Sequence, residues 1–289
     1  MEIGIRISVF LGILFAMITW EALWPRRVLS QPGQSRKERW LTNLSLTLLN
    51  AVFARLTLGA ATITVAVFAS THGIGLLHWL SVPAAAVPAW VAAAFALLAL
   101  DFALYLQHVM LHAVPVLWRL HQVHHADLGF DATTGLRFHP IEIVLSLGYK
   151  LAVIVLIGVP PWVVVTFEVL LNAASIFNHG NVFIPERMDA WLRWLLVTPD
   201  MHRIHHSTQI VETDSNFGFS VSWWDRLCGT YRSAPALEQT VMEIGLSDYR
   251  VPLNLGRVLL LPFQANAGRY TFAGTRPAKA FAQSRSAKG

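Results

Sequence analysis

The sequence predicts an all-α fold: a polytopic membrane helix bundle of three long spans plus a helical hairpin, carrying a histidine-rich cap on its cytoplasmic side. Three observations predict it. Hydrophobic residues make up 54% of the 289-residue chain and charged residues only 13%, with a mean hydropathy of +0.48, far more apolar than a soluble domain. The apolar residues gather in discrete segments long enough to enter a bilayer. Ten of the 12 histidines fall between residues 108 and 206, mostly in the polar stretches that follow those segments.

Residues 3–24 form the first span. They lack a small-residue cleavage site before Trp24-Pro25, so the segment reads as a retained anchor rather than a signal peptide. The following loop, residues 25–39, sets Arg26, Arg27, Arg36, Lys37 and Arg39 against a single acid, Glu38, and is expected to be cytoplasmic. The second span covers residues 40–69. Within it Arg55 is either functional or a helix-packing charge that needs a partner. Residues 69–86 carry no Lys, Arg, Asp or Glu, as a translocated loop should, and His72 and His78 there are expected to stand apart from any chemistry.

The third span covers residues 87–107. Residues 141–158 and 160–177 each give roughly 26 Å of helix, marginal for a ~30 Å hydrocarbon core. Gly158-Val159-Pro160-Pro161 breaks the run, so residues 141–177 form a hairpin whose two ends return to one side. Counting spans from the first loop places residues 108–140 and 178–264 on the cytoplasmic side, where they form the cap. Residues 1–264 thus make one membrane-embedded domain, with residues 253–263 expected at the interface. Residues 265–289 form a basic tail expected to be disordered and drawn to anionic lipid; beyond Asp248 the chain has Lys and Arg but no acid. The net charge of +5 suits a positive-inside membrane protein, and no nucleotide loop or nucleic-acid motif is present.

The chain has one cysteine, Cys228, which excludes an internal disulfide and any cysteine-held zinc or iron–sulfur site. A metal would have to be held by nitrogen or oxygen. Three histidine clusters stand out: His108-x3-His112, His121-x2-His124-His125 and His202-x2-His205-His206. Positions i and i+3 or i+4 share a helix face about 5–6 Å apart, so two imidazoles can reach one ion. Adjacent histidines diverge by about 100° and can feed two neighbouring ions. His179, in Phe177-Asn178-His179-Gly180-Asn181, is a further contributor. Nine imidazoles exceed the needs of one zinc or iron, and two metals fit better. The Glu-x-x-His pairs of carboxylate-bridged bundles and the His-Glu-x-x-His metalloprotease helix are both absent.

On the third span Asp101, Tyr105, His108 and His112 project within about 60° of one another. Asp101 is expected to accept a hydrogen bond from a ligand imidazole and fix its tautomer, with direct ligation and a purely structural contact as the alternatives. His139, followed by Pro140, is either a tenth ligand or a residue that holds the cap by hydrogen bonding. The second role is favoured, and the spacing assigns no role to Glu142.

These residues resemble the fatty acid hydroxylase or sterol desaturase superfamily of integral membrane di-iron oxygenases. Its HxxxH, HxxHH and HxxHH pattern is met by His108, His112, His121, His124, His125, His202, His205 and His206. Asp101, the run from Arg137 to Glu142, Asn178-His179-Gly180-Asn181, Asn216-Phe217-Gly218 and the run from Trp224 to Thr230 agree as well, and the likeness covers residues 39–231. The resemblance implies two iron ions (zinc can replace them in purified protein), O2 as co-substrate, and an electron donor of cytochrome b5 or ferredoxin type. A His-Pro-Gly-Gly haem signature is absent, so the donor is expected to be a separate protein. The implied reaction is hydroxylation or desaturation of a membrane lipid: sterol-like, fatty acyl, ether lipid or carotenoid. The alternatives from other classes are a membrane zinc hydrolase, active without O2, and a metal-stabilised scaffold.

Overall fold

The computed structural model describes residues 2–28, 34–57, 61–81 and 88–264, and these are helical with no strand. Eight helices run through the described part of the first 178 residues: α1 (Glu2–Leu23), α2 (Arg36–Thr57), α3 (Ala61–Thr71), α4 (Leu76–Ser81), α5 (Ala89–Ala113), α6 (Pro115–His125), α7 (Pro140–Ile157) and α8 (Pro161–Asn178). Five stretches are long and apolar enough to cross a membrane: residues 6–23, a window within 36–80, 89–113, 140–157 and 161–178. Their outward faces stay apolar, with Phe15, Leu56, Trp90 and Leu156 exposed, as lipid contact requires. The expected tail, residues 265–289, lies outside the described residues.

The hairpin forms as its sequence dictates. Gly158 caps α7 in the left-handed conformation at φ 73°, and Pro161 opens α8 at a position where its missing N–H costs nothing. Gly75 packs so closely here that a Cβ on it would lie 2.3 Å from the Gly158 nitrogen. Between the hairpin and its neighbours lies an apolar core of Leu100, Ile154, Val163 and Phe167.

Two boundaries differ from the sequence reading. The third span does not stop at residue 107: α5 runs on to Ala113, so the first histidine pair sits on the end of the spanning helix. The expected second span, residues 40–69, begins earlier, with α2 starting at Arg36; α3 follows from Ala61, and residues 58–60 lie outside the described residues. Much of α2 belongs to the cap, because Arg39, Asn43 and Asn50 hydrogen-bond to the segment between α6 and α7. Arg55 is exposed on α2.

The cations of residues 25–39 act as fasteners. Arg26 pairs with Asp200 at 3.0 Å, Arg27 donates to the Met242 carbonyl at 2.9 Å, and Arg36 pairs with Glu21 at 2.9 Å. Arg39, buried, bridges Asp127 at 2.8 Å and Asp131. The cap is completed by α9 (Glu186–Leu192), α10 (Pro199–His205), α11 (Ile210–Thr213), α12 (Trp223–Leu227) and α13 (Leu255–Leu260). Of residues 253–263, Leu253, Val258 and Leu261 pack into the core with Leu46, Trp118 and Val123, while Leu260 and Phe263 are exposed.

Candidate metal centre

Local sequence positions each histidine. Val114 precedes Pro115 and takes the extended conformation that a pre-proline residue favours, so the chain turns sharply between α5 and α6. That corner brings His108 and His112 against His121 and His125, with ring centroids of His112 and His125 4.8 Å apart. Thr198 caps α10, its side chain accepting from the Met201 N–H at 3.3 Å, and Pro199 occupies the first turn. Gly135 lets the 3-10 turn after α6 lie on α8, since a Cβ there would fall 2.5 Å from the Ser175 carbonyl. His179 follows directly at the end of α8.

Nine imidazoles converge in two groups. His108, His112, His121, His125 and His205 form one; His124, His179, His202 and His206 form the other, and within each group the candidate ligand atoms lie within 4.8 Å of one another. The i, i+4 pairs His121/His125 and His202/His206 each stay in one group, whereas the adjacent residues His124/His125 and His205/His206 divide between them, as a 100° step requires. The groups abut where the rings of His125 and His206 stack, centroids 4.5 Å apart.

The ring nitrogens fit metal ligation. Four imidazoles are oriented through Nδ1, which donates to the Phe217 carbonyl from His108 (2.8 Å), to Glu142 from His121 (2.7 Å), to the Ser175 carbonyl from His179 (2.7 Å) and to the Ser215 carbonyl from His205 (2.8 Å). Each leaves an Nε2 lone pair facing inward. The Nε2 atoms of His108, His121 and His205 are buried without a hydrogen-bond partner, as are both nitrogens of His112, His125 and His206. In the second group the His179 Nε2 faces those of His124 and His202 at 3.1 Å. Buried nitrogens left without partners are costly unless a cation collects them.

Electrostatics favour the neutral, ligating form. Burial, reinforced by neighbouring imidazoles, pushes His124, His125, His202 and His206 well below the ordinary range. Burial lowers His179 to about 4 and His205 to about 3. Phe138 stacks on His124 at 4.5 Å and Trp118 packs on His112 at 4.8 Å, closing the group to water.

Two residues singled out in the sequence lie outside both groups. His139 belongs to neither group; its Nδ1 accepts the Ile141 N–H at 3.2 Å, capping α7, and its Nε2 lies 3.3 Å from the Leu259 carbonyl. Both of its ring nitrogens thus face backbone groups of the cap rather than either imidazole group. Asp101 does not reach an imidazole. Its Oδ2 accepts from Trp224 Nε1 at 2.9 Å and from the Val221 N–H at 3.3 Å, because the segment 217–225 lies between it and the histidines. Glu142, left without a role by its spacing, hydrogen-bonds a grouped imidazole, and Asp214 approaches another, its Oδ1 3.6 Å from His112 Nδ1. The position of Glu142 in the first turn of α7, behind Pro140, was the available signal.

Beside the histidines opens a cavity of about 270 Å3, bounded by His121, His124 and His179 at one end and by Leu104, Leu136 and Leu171 along its walls. It lies between α1, α2, α5, α7 and α8.

Residues 93–230 match the fatty acid hydroxylase family model. The chain carries a fatty acid hydroxylase domain. All nine grouped histidines fall inside it. This domain is similar to the ornithine lipid hydroxylase of Rhizobium tropici, 28% identical over 61% of this chain and 51% of that one. It is also similar to the alkylglycerol monooxygenase of Xenopus tropicalis (32% identical, 46% and 29%) and the human cholesterol 25-hydroxylase (28% identical, 48% and 51%). The chain thus spans about half or less of the length of these relatives. No solved structure shows significant similarity to it. With its apolar helices, the fatty acid hydroxylase domain identifies an integral membrane protein.

Proposed function

We propose that this chain hydroxylates a membrane lipid with O2 at a pair of iron ions held by His108, His112, His121, His125 and His205 on one side and His124, His179, His202 and His206 on the other. One observation carries the reading: two groups of buried imidazoles with inward lone pairs border a cavity among the apolar helices. Hydroxylation is preferred to desaturation because the similar proteins are named hydroxylases and monooxygenases.

Iron bound there would supply the reduction of O2 and the oxidising power for breaking an unactivated C–H bond. The chain supplies the rest. Glu142 and the carbonyls of Phe217, Ser175 and Ser215 hold the imidazoles at fixed tautomers, so the ligand field is set before substrate arrives. Phe138, Trp118 and Phe217 exclude water from the reacting face. The apolar walls of Leu104, Leu136 and Leu171 align a lipid chain with one carbon against the histidines. The cap is assigned to the cytoplasmic side, where a separate cytochrome b5 or ferredoxin type donor delivers electrons.

The test is lipid analysis of cells expressing the wild type or a His124→Ala/His125→Ala variant under 18O2. A lipid that gains 18O only with intact histidines supports the reading. Absence of any labelled lipid across several lipid backgrounds, with expression and iron content intact, overturns it.

A further inference from the structure

A charged cluster lies deep among the spanning helices. Glu168 on α8 accepts from Lys150 Nζ on α7 at 2.8 Å through Oε1 and pairs with Arg6 on α1 through Oε2. The side chains of Lys150 and Glu168 are only 15% and 12% exposed. Charges inside a bilayer are costly, and apolar packing would hold three helices together at lower cost, so ionisable residues at this depth point to a task.

Their register gives the task a place. Arg6, Lys150 and Glu168 each lie one helical turn beyond a residue that lines the cavity: Phe10, Ser146 and Asn172. Residues four apart share a helix face, so the cluster stands at the end of the cavity remote from the histidines. Beside the apolar Ile143 and Leu171, each helix also turns polar residues to the cavity: Glu142 and Ser146 lead to Lys150 on α7, and Ser175 and Asn172 lead to Glu168 on α8. Lys150 carries three donors, of which one is directed at Glu168.

We propose that Lys150, positioned by Glu168, is a subsite for an oxyanion, carboxylate or phosphate, at one end of an amphiphilic lipid whose chain runs along the cavity to the histidines. Lys150 lies about 12 Å along α7 from Glu142, and Glu168 about 16 Å along α8 from His179. The carbon presented to the metal centre is therefore remote from the anionic group. This inference uses the proposed lipid hydroxylation only for the meaning of that carbon; binding and orientation stand apart from turnover.

The experiment uses the full-length, metal-loaded protein in lipid nanodiscs without reductant. Three probes carry a diazirine at the methyl end of a long alkyl chain: a carboxylate, its methyl ester and an alkyl phosphate. The carboxylate, the phosphate or both should label residues at the histidine end, such as Leu111 and Phe138, more strongly than the ester; which of them labels identifies the source of the oxyanion. Lys150→Met should lower anionic labelling about tenfold or more while sparing the ester, and Lys150→Arg should retain it. Equal labelling by acid, phosphate and ester in the wild type, labelling at the hairpin tip near residues 158–161, or unchanged labelling in Lys150→Met overturns the subsite. The wild-type comparison stands even if a variant does not fold. Correct labelling without 18O uptake would leave the subsite and remove the hydroxylase reading; 18O uptake without ionic preference would do the reverse.

Discussion

The Glu142 carboxylate accepts a 2.7 Å hydrogen bond from Nδ1 of His121, and both side chains are buried. That bond joins the first turn of α7, a spanning helix, to the metal-binding face of the cap. It fixes the His121 tautomer so that Nε2 faces its group. Replacing Glu142 by Ala is expected to lower metal affinity about 10- to 100-fold. Glu142→Gln, which keeps an acceptor oxygen, should fall between that variant and the wild type. Chelator competition on the purified proteins checks the order.

His139 and Asp101 lie outside both imidazole groups, and each instead secures a backbone segment. His139→Ala and Asp101→Asn should therefore keep the wild-type metal content while losing about 1 kcal/mol or more of stability. Metal analysis alongside thermal unfolding separates the two effects. A drop in metal content in folded His139→Ala would restore it as a ligand.

Arg39 bridges Asp127 and Asp131 in a buried network that ties α2 to the loop after α6. Arg39→Met removes the buried guanidinium that Asp127 and Asp131 share, leaving Asp131 only Arg36 at 3.7 Å, a cost of about 3–5 kcal/mol. The variant should unfold at a markedly lower temperature in detergent, with Arg39→Lys intermediate because an ammonium cannot fork between two acids.

Burial holds His179 at about 4 and His205 at about 3, below the ~6.5 of a free imidazole. Depressed folded values mean that the unfolded chain takes up protons first. Their contribution to stability is complete above pH ~6.5 and is lost progressively as the pH falls towards 4 and then 3. Melting temperature and bound metal, followed by titration, should both decline across that window. A flat profile there would contradict the buried neutral site.

The helical class, the apolar spans and the hairpin at Gly158 were legible in the sequence because each rests on local signals: apolar runs, a left-handed glycine and prolines at the start of the next helix. Eight of the nine grouped histidines were legible because helical spacing brings i and i+4 together and splits neighbours; His179 has no histidine at that spacing. Their orienting partners were not. Three are backbone carbonyls, of Phe217, Ser175 and Ser215, and every residue has a carbonyl, so no side chain announces the role. The Arg39–Asp127 pair joins residues far apart in sequence, and the same arginine also reads as an ordinary positive-inside charge. Asp101 misled because its helical register matches His108 and His112, while the intervening segment 217–225 comes from the far end of the chain.

The metal content of protein purified from iron-replete cells, read as ions per chain, tests the two-metal arrangement most directly. Two irons are expected in the wild type, with about one lost in His125→Ala or in His124→Ala, because each residue belongs to a different group. A single ion in the wild type, or two retained in both variants, would contradict it.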